Sequence, residues 1–274
     1  MDRALPRIQI AWIFLAAYLW VTVFPFYWMF KSAIEPAAAV YDPHFLPRSF
    51  TLANTVALFT DSTFLSNAQN SLQVALTSSI LVVICSAVGG YALSRYPIPG
   101  KRFLAQTILF TYMFPELLLG IPFFSIFKSL GLLNSLVGLS FAHMTLSFPF
   151  ALWLMWQTFQ AMPPEYEEAA FIDGAGPLRT FVLVVCPMAL PSMAAVLIFA
   201  FAASWNDYVL SLMLIRDDKL FTLPVAISLF VTQLHFNWAI IQAAALLLGL
   251  PGLVLLLAGQ RYLVKGFGGG GLAN

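Results

Sequence analysis

Charged side chains are scarce in this chain. Asp, Glu, Lys and Arg make up 9% of its 274 residues, whereas 61% are apolar and the mean hydropathy is +0.86. Because a soluble domain carries about 25% charged residues, this composition excludes an ordinary water-soluble fold and predicts an integral membrane protein. The net charge of +1 comes without a cluster of basic residues, so nothing indicates binding to nucleic acid.

Cysteine is scarce as well, with two residues in the chain. Cys85 falls inside a predicted span and Cys186 near a predicted cytosolic boundary. Neither lies in a predicted external loop, so no disulfide framework is implied. We expect both thiols to serve as small apolar side chains.

Motifs for catalysis are missing too. The pattern G-x-x-x-x-G-K-[ST] does not occur, and the glycine run at residues 268–271 is followed by Leu-Ala-Asn, with no phosphate-facing lysine behind it. We expect that run to be a flexible tail. H-E-x-x-H and paired metal ligands are also missing. The chain is therefore expected to be non-catalytic, with no metal or cofactor of its own.

Long apolar runs are what the sequence does contain. Six of them are long enough, at 1.5 Å per residue, to cross a hydrocarbon core of about 30 Å. The predicted fold class is all-α, a polytopic bundle of transmembrane helices. The predicted spans are residues 10–30, 70–93, 103–127, 136–159, 188–205 and 240–260. The predicted organisation is an N-terminal segment 1–9, a six-span domain 10–261 and a tail 262–274.

Lysine and arginine in the loops predict the orientation, since cytosolic loops carry an excess of both. If the N-terminus is inside, the inner segments hold eight of the 13 (Arg3, Arg7, Arg95, Lys101, Arg102, Arg179, Arg261 and Lys265). The outer segments hold the other five (Lys31, Arg48, Lys128, Arg216 and Lys219). The bias is sharpest in the short turn 95–102. Both termini and the loop 162–187 are therefore predicted to be cytosolic.

The loop at residues 162–187 is the one long polar interruption with several acids. After two prolines, Glu165, Glu167 and Glu168 fall in the first turn of a predicted helix, where the helix dipole favours negative charge. Gly174 suits the left-handed residue that ends a helix, and Pro177 can begin the next one. The pattern predicts two short helices joined by a tight turn.

This loop resembles the EAA loop of the permease subunits of ATP-binding-cassette importers. Five residues match the family pattern at its spacing: Glu168, Ala169, Ala170, Gly174 and Pro187. Val184 stands where the family has Ile, and Cys186 departs from its Leu. Asp173-Gly174-Ala175 is similar to the carbohydrate-uptake branch, as are residues 131–135, 205–208, 222–225 and 260–266. The likeness covers most of the chain and is poorest at the two ends.

The resemblance implies the fold of a type I importer permease in a bacterial cell membrane. It further implies a second related permease subunit, an ATPase dimer that binds ATP and Mg and docks on the loop, and an external substrate-binding protein. A sugar would then pass between the permeases by alternating access. The residues expected to couple the ATPase are Glu167, Glu168, Ala169, Ala170, Asp173, Gly174, Ala175 and Pro187. Whether the glycine-rich tail contacts the ATPase stays open, as does the choice between a hetero- and a homodimeric permease pair.

Four polar residues in or next to the predicted spans are candidates for the translocation path: Glu116, Asn70, His143 and Asn206. An acid in mid-span costs about 2.5–3.5 kcal/mol. Three interpretations of Glu116 stand side by side: it faces the path, it pairs with His143 across the bundle, or it lies close to water where Pro115 breaks the helix. His143 also fits a hydrogen-bonded interior histidine, and the polar face of the second span fits helix packing.

Other functions remain as alternatives. A free-standing secondary transporter would need ionisable coupling groups in the spans and usually an internal repeat, whereas the spans offer Glu116 and His143 and no convincing repeat. A membrane-embedded enzyme would need a catalytic cluster at one membrane face. In the external loop 206–239, the aromatic residues suit either the membrane interface or contact with a binding protein. The solute stays open between sugars, oligosaccharides and glycerol phosphate.

Overall fold

The computed structural model describes residues 5–42, 44–60, 62–232 and 237–267. Every regular element in these ranges is helical, which confirms the predicted class. The long helices are α1 (Leu5–Ala33), α3 (Ser62–Arg95), α6 (Leu136–Ala161), α9 (Cys186–Trp205) and α12 (Trp238–Phe267). The shorter ones are α2 (Ala53–Thr60), α4 (Lys101–Thr111), α5 (Glu116–Ser129), α7 (Glu165–Ile172), α8 (Pro177–Thr180), α10 (Val209–Leu214) and α11 (Leu223–Thr232). Residues 1–4 of the predicted N-terminal segment, Phe236 of the external loop and residues 268–274 of the predicted tail lie outside the described residues.

Five helical stretches in the described part of the chain are long and apolar enough to cross a membrane, and a bent pair makes a sixth if it counts as one span. The second stretch, Thr63–Arg95, begins before the predicted residue 70. Asn67 and Ser71 are buried in the protein rather than marking a water-facing boundary, so the helix continues through them. The fifth stretch, Pro177–Trp205, begins 11 residues before the predicted 188.

The third predicted span is a broken helix. Its two halves, α4 and α5, are bent by 98° with respect to each other. Pro115 lies at the break, with φ −58° and ψ 127°, and directly precedes α5. A residue before proline is pushed out of the helical region, so α4 ends ahead of it. The break that Pro115 predicted is confirmed, and it places Glu116 in the first turn of α5.

Contacts between Cα atoms divide the chain into two compact units. One consists of Met1–Leu65 with Ala226–Pro251, and the other of Ser66–Val225 with Gly252–Asn274. In the second unit, α6 supplies much of the core, where Met155 and Phe159 pack with Val82 of α3 and Ala189 of α9. At Gly90, a Cβ would lie 2.7 Å from the backbone nitrogen of Trp156. The close approach of α3 to α6 therefore requires glycine there.

The first unit contains a buried ion pair just beyond the end of α1. The Glu35 carboxylate accepts hydrogen bonds from Lys31 Nζ at 2.7 Å and from the backbone N–H of Arg48 at 2.9 Å, and His44 Nε2 lies 2.9 Å from it. Lys31 and Glu35 are 2% and 0% exposed. Burial raises the pKa of Glu35, but the hydrogen bonds from Lys31, His44 and Arg48 outweigh it and lower the pKa to about 2 from an ordinary 4.5.

Replacing Glu35 by Gln is expected to lower the unfolding free energy by about 2 kcal/mol at pH 7, because charge-assisted hydrogen bonds are lost. Since the folded state lowers the pKa of Glu35, its contribution is fully present above pH 4.5 and is lost as the pH falls toward 2. The difference between wild type and Glu35→Gln should therefore shrink over that window. Thermal unfolding between pH 7 and pH 2.5 measures it. Asp42→Asn, which breaks a pair more than 60% exposed, is the control and should change little.

Candidate functional site

The loop that the sequence singled out folds around α7. Pro164 precedes the helix, and Glu165, Glu167 and Glu168 lie in its first turn, as predicted. Asp173 is the C-terminal cap, and Gly174 follows with φ +81°. The N–H of Gly174 donates to Phe171 O at 3.1 Å, and the N–H of Ala175 to Ala170 O at 2.9 Å. This pair of bonds is a Schellman motif, which confirms the predicted left-handed glycine.

One acid of α7 points inward. Glu167 is 6% exposed, accepts from Arg95 Nε at 2.6 Å and accepts from the Tyr91 hydroxyl at 2.7 Å. Arg95 also donates from Nη2 to the backbone oxygen of Met162 at 3.0 Å. Arg95 and Tyr91 belong to the last turns of α3, and the Tyr91 ring packs against Phe181 with ring centroids 4.8 Å apart. The start of α7 is therefore fixed to the end of α3. These three side chains are named the α7 anchor.

The rest of α7 and its turn is largely exposed. Glu168 and Ala169 are exposed, whereas Ala170 is buried, as the neighbouring faces of one helix require. Several large apolar side chains share the exposed surface: Tyr166, Phe171, Ile172 and Leu178, with Ile172 86% exposed. An exposed apolar patch of this kind indicates an interaction surface.

The second short helix is not separate. α8 begins at Pro177, as predicted, and continues through a π-helical turn, Phe181–Val185, into α9. Pro187 lies in the first turn of α9 and is exposed. A proline cannot donate its hydrogen bond to the preceding turn, and single π turns occur as bulges inside α-helices. The prediction of two short helices joined by a tight turn is confirmed for α7, the turn and the start at Pro177, but it is wrong for the length of the second helix, which is the first turn of span five.

A cavity of about 620 Å³ lies in the second unit beside the break between α4 and α5. Asp207 is 8% exposed and accepts from the N–H of Ser211 at 2.9 Å and from its hydroxyl at 2.8 Å. His143 Nε2 lies 3.0 Å from Asp207, and its Nδ1 lies 2.5 Å from Ser204 Oγ. Glu116 lines the same cavity. His143 is hydrogen-bonded to Asp207 and Ser204, and the pairing of Glu116 with His143 that the sequence offered as one interpretation stays a prediction.

The other two candidates for the path lie elsewhere. Asn70 donates from Nδ2 to the backbone oxygens of Lys219 and Phe221, at 2.9 and 3.1 Å. Asn206 donates to Ala202 O at 2.8 Å, one turn back in its own helix. In the described part of the chain, the residues that line the cavity include Glu116 and His143 but neither asparagine. Both asparagine side chains donate hydrogen bonds to backbone carbonyl groups. Their place in the path remains a prediction.

Sequence reasoning missed two contributors to these sites. Arg95 was used for orientation, and its partner Glu167 lies 72 residues further on. In the sequence, Asp207 belongs to the stretch 205–208, and its burial was not predicted. An acid two residues beyond the end of an apolar helix, followed by Ser211 at the spacing of one turn, is the pattern that could have pointed to it.

Comparison with known proteins gives consistent matches along the chain. The family described as "Binding-protein-dependent transport system inner membrane component" matches residues 86–268. The chain is 30% identical over 262 residues to the inner membrane ABC transporter permease protein YcjP of Escherichia coli (strain K12), with 94% of each covered. It is 34% identical over 250 residues to the trehalose transport system permease protein SugB of Mycobacterium tuberculosis (strain CDC 1551 / Oshkosh), with 90% of each covered.

A solved structure shares the fold. It is the crystal structure of a bacterial ABC transporter involved in the import of the acidic polysaccharide alginate, and one of its chains superposes with a TM-score of 0.83 at 24% identity. The match covers 96% of this chain and 98% of that one. The overall fold of this chain is therefore shared by a protein of low sequence identity.

Proposed function

Because this chain belongs to the family of binding-protein-dependent transport system inner membrane components, we propose that it forms half of the pathway by which a sugar or sugar-like solute is imported by alternating access. The chain is a multi-pass, non-catalytic membrane subunit of an ATP-driven importer, and a separate subunit hydrolyses the ATP. Its likeness to a trehalose permease supports a sugar as the solute.

The proposal assigns the loop 162–187 to the ATPase. The observation that carries it is the α7 anchor, in which Glu167 is buried against Arg95 and Tyr91. To move an equilibrium from 1:99 to 99:1, the partner must favour one state over the other by about 5.5 kcal/mol. A helix held by a buried ion pair can pass such a bias to α3, whereas a mobile loop would absorb it.

The roles within the loop follow from exposure. Glu168 and Ala169 lie on the outer surface of α7 with the apolar patch, and we assign this surface to contact with the ATPase. Ala170 is buried, so it permits close packing of α7 against the rest of the second unit. Asp173, Gly174 and Ala175 form the turn that sets the direction of the chain after α7. Pro187 lies in the first turn of α9, within span five, which this turn would move.

The proposal includes three further partners and an orientation. A second, related permease would complete the pathway, a substrate-binding protein would deliver the solute from outside, and the ATPase would act as a dimer. Both termini and α7 would then face the cytosol, as the excess of Lys and Arg in the inner loops supports. Membership of a family of transport proteins that depend on binding proteins supports the delivery step.

Replacing Gly174 by Val is expected to lower ATP-driven uptake about fivefold, because a left-handed backbone costs a β-branched residue roughly 1–2 kcal/mol. Gly176→Val is the matched control: a Cβ at either glycine meets open space, but Gly176 has φ −76°, which any residue adopts. Uptake into proteoliposomes that contain the assembled importer and its binding protein measures the effect, with co-purification of the ATPase as a second readout.

Equal uptake by Gly174→Val, Gly176→Val and wild type would contradict the role of this turn in coupling. A free-standing secondary transporter would behave differently throughout. It would transport its solute without any ATPase subunit. Its uptake would therefore not depend on ATP in the wild type or in either glycine variant. The family match does not favour that alternative.

A further inference from the structure

The cavity beside the α4–α5 break has a lining of unusual composition. Its apolar surface is rich in aromatic rings, and the rings of Tyr112 and Phe199 lie with their centroids 6.2 Å apart. Its polar surface includes Glu116, His143 and Asp207. A volume of about 620 Å³ falls among the pockets of roughly 300–1,000 Å³ that hold small organic ligands.

The charged side chains of this lining are mainly acidic. Among the described residues, those that line the cavity include no lysine and no arginine, and His143 already faces the carboxyl of Asp207. Glu116 and Asp207 thus place two carboxyl groups in a lining whose one basic side chain, among the described residues, is His143. An anionic ligand would therefore meet a carboxylate with no cation to offset it.

The polar groups are fixed in place rather than free to adapt. Asp207 accepts from the N–H groups of Leu210 and Ser211 and from the Ser211 hydroxyl, in addition to meeting His143. Asp207 therefore has little capacity left, and Glu116 lines the cavity as the second carboxyl group. A carboxyl group in this position suits hydrogen bonds with hydroxyl groups of a ligand.

A metal ion is not the occupant that this cluster fits. Within residues 5–42, 44–60, 62–232 and 237–267, no group of three or more His, Cys, Asp and Glu is arranged so that it could hold a metal. Asp207 engages the backbone at the start of α10 instead. An organic ligand with hydroxyl groups and apolar C–H faces matches both halves of the lining, since rings accept such faces and carboxyls accept hydroxyl groups.

We propose that this cavity is a binding site for an uncharged sugar unit and that it rejects uronates and sugar phosphates. The proposal rests on the proposed function, in which a sugar passes through this subunit, and it narrows the solute to neutral carbohydrates. Rejection follows from the cost of a buried charge without a partner, which is far larger than the loss of one hydrogen bond. Contacts within this one chain thus divide neutral from anionic sugars.

The test uses protection of a cysteine from alkylation in the assembled importer without its binding protein, so that the selectivity of that protein does not enter. Cys85 and Cys186 are replaced by Ala, and Ala203, an exposed residue of the lining, by Cys. The probes are maltose, trehalose and N,N′-diacetylchitobiose against digalacturonate. We expect the neutral sugar that the importer transports to slow the reaction with N-ethylmaleimide at least threefold, whereas digalacturonate leaves the rate unchanged.

Two variants sharpen the test. Thr145→Lys places an ammonium group in the lining without touching Glu116 or Asp207, and it should confer protection by digalacturonate. Leu118→Cys, on an exposed side chain that does not line the cavity in the described structure, should react at one rate with and without any sugar.

The two proposals fail in different ways. If ATP drives no sugar uptake by the complete importer, the proposed function is wrong. If uptake is driven by ATP but digalacturonate protects Ala203→Cys as well as the transported sugar does, the inference about neutral sugars is wrong while the proposed function stands. The inference also falls if the transported sugar gives no protection, or if the transported sugar is itself acidic.

Discussion

Reversing the charge of either partner in the α7 anchor is expected to lower ATP-driven uptake by about a hundredfold, and reversing both should restore much of it. Arg95→Glu places two carboxylates where one ion pair now spans 2.6 Å, and Glu167→Arg places two guanidinium groups there. Breaking a buried pair from one side costs about 3–5 kcal/mol, and each 1.4 kcal/mol is a factor of ten. Uptake into proteoliposomes with the complete importer measures it.

The double variant separates coupling from folding. Arg95→Glu with Glu167→Arg recreates the pair in the opposite sense, although Tyr91 then loses the carboxylate to which it donates, so recovery should be partial. Glu165→Arg in the same helical turn is the control, because Glu165 is exposed and should tolerate either charge. If both single reversals transported at the wild-type rate, α7 would not act through α3.

Local chemistry made α7 predictable. A helix that follows two prolines, carries acids in its first turn and ends at a glycine with positive φ is encoded within about ten residues, and the structure has all of these features. The break of the third span was predictable for the same reason, since Pro115 acts on its direct neighbours. Features whose cause lies within one or two turns were therefore within reach of sequence reasoning.

The α7 anchor was not predictable in the same way. Glu167 and Glu168 are equivalent in the sequence, and the family resemblance rests on Glu168, yet Glu167 is the buried one. Which of them faces inward depends on the rotation of α7 about its axis, and that rotation is set by packing against α3 and not by the loop itself. The partner Arg95 lies 72 residues away, and no local pattern marks a contact over that separation.

The first residues of spans two and five lie earlier in the chain than predicted, because polar residues and proline occur both at the ends of membrane helices and inside them. Asn67 and Ser71 suggest a boundary with water, but both are buried and the helix passes through them. Pro187 suggests the start of a helix, but the π turn before it lets the helix continue from Pro177. Burial and backbone adaptation decide between the two uses, and both depend on contacts between helices.

Replacing Asp207 by Ala is expected to lower the unfolding free energy by about 3–5 kcal/mol, the cost of removing one partner from a buried charged network. The change leaves the N–H groups of Leu210 and Ser211 at the start of α10 without their acceptor, and His143 without its carboxyl. The midpoint of thermal unfolding should fall by roughly 10 °C at about 2–4 °C per kcal/mol. Fluorescence-detected size exclusion after heating, on protein in detergent micelles, measures it.

Asn206→Ala is the matched control, because the neighbouring Asn206 is exposed and bonds one carbonyl of its own helix, so its midpoint should stay close to that of wild type. Asp207→Asn should fall between the two, since an amide keeps one oxygen to accept from α10 but turns a second donor toward its N–H groups.

A double variant with His143→Ala tests the network itself. If Asp207 and His143 act through each other, their combined loss of stability should be clearly smaller than the sum of the single losses. Additive losses would mean that Asp207 stabilises α10 without help from His143. His143, which lines the cavity, would then be held in place by its hydrogen bond with Ser204 instead.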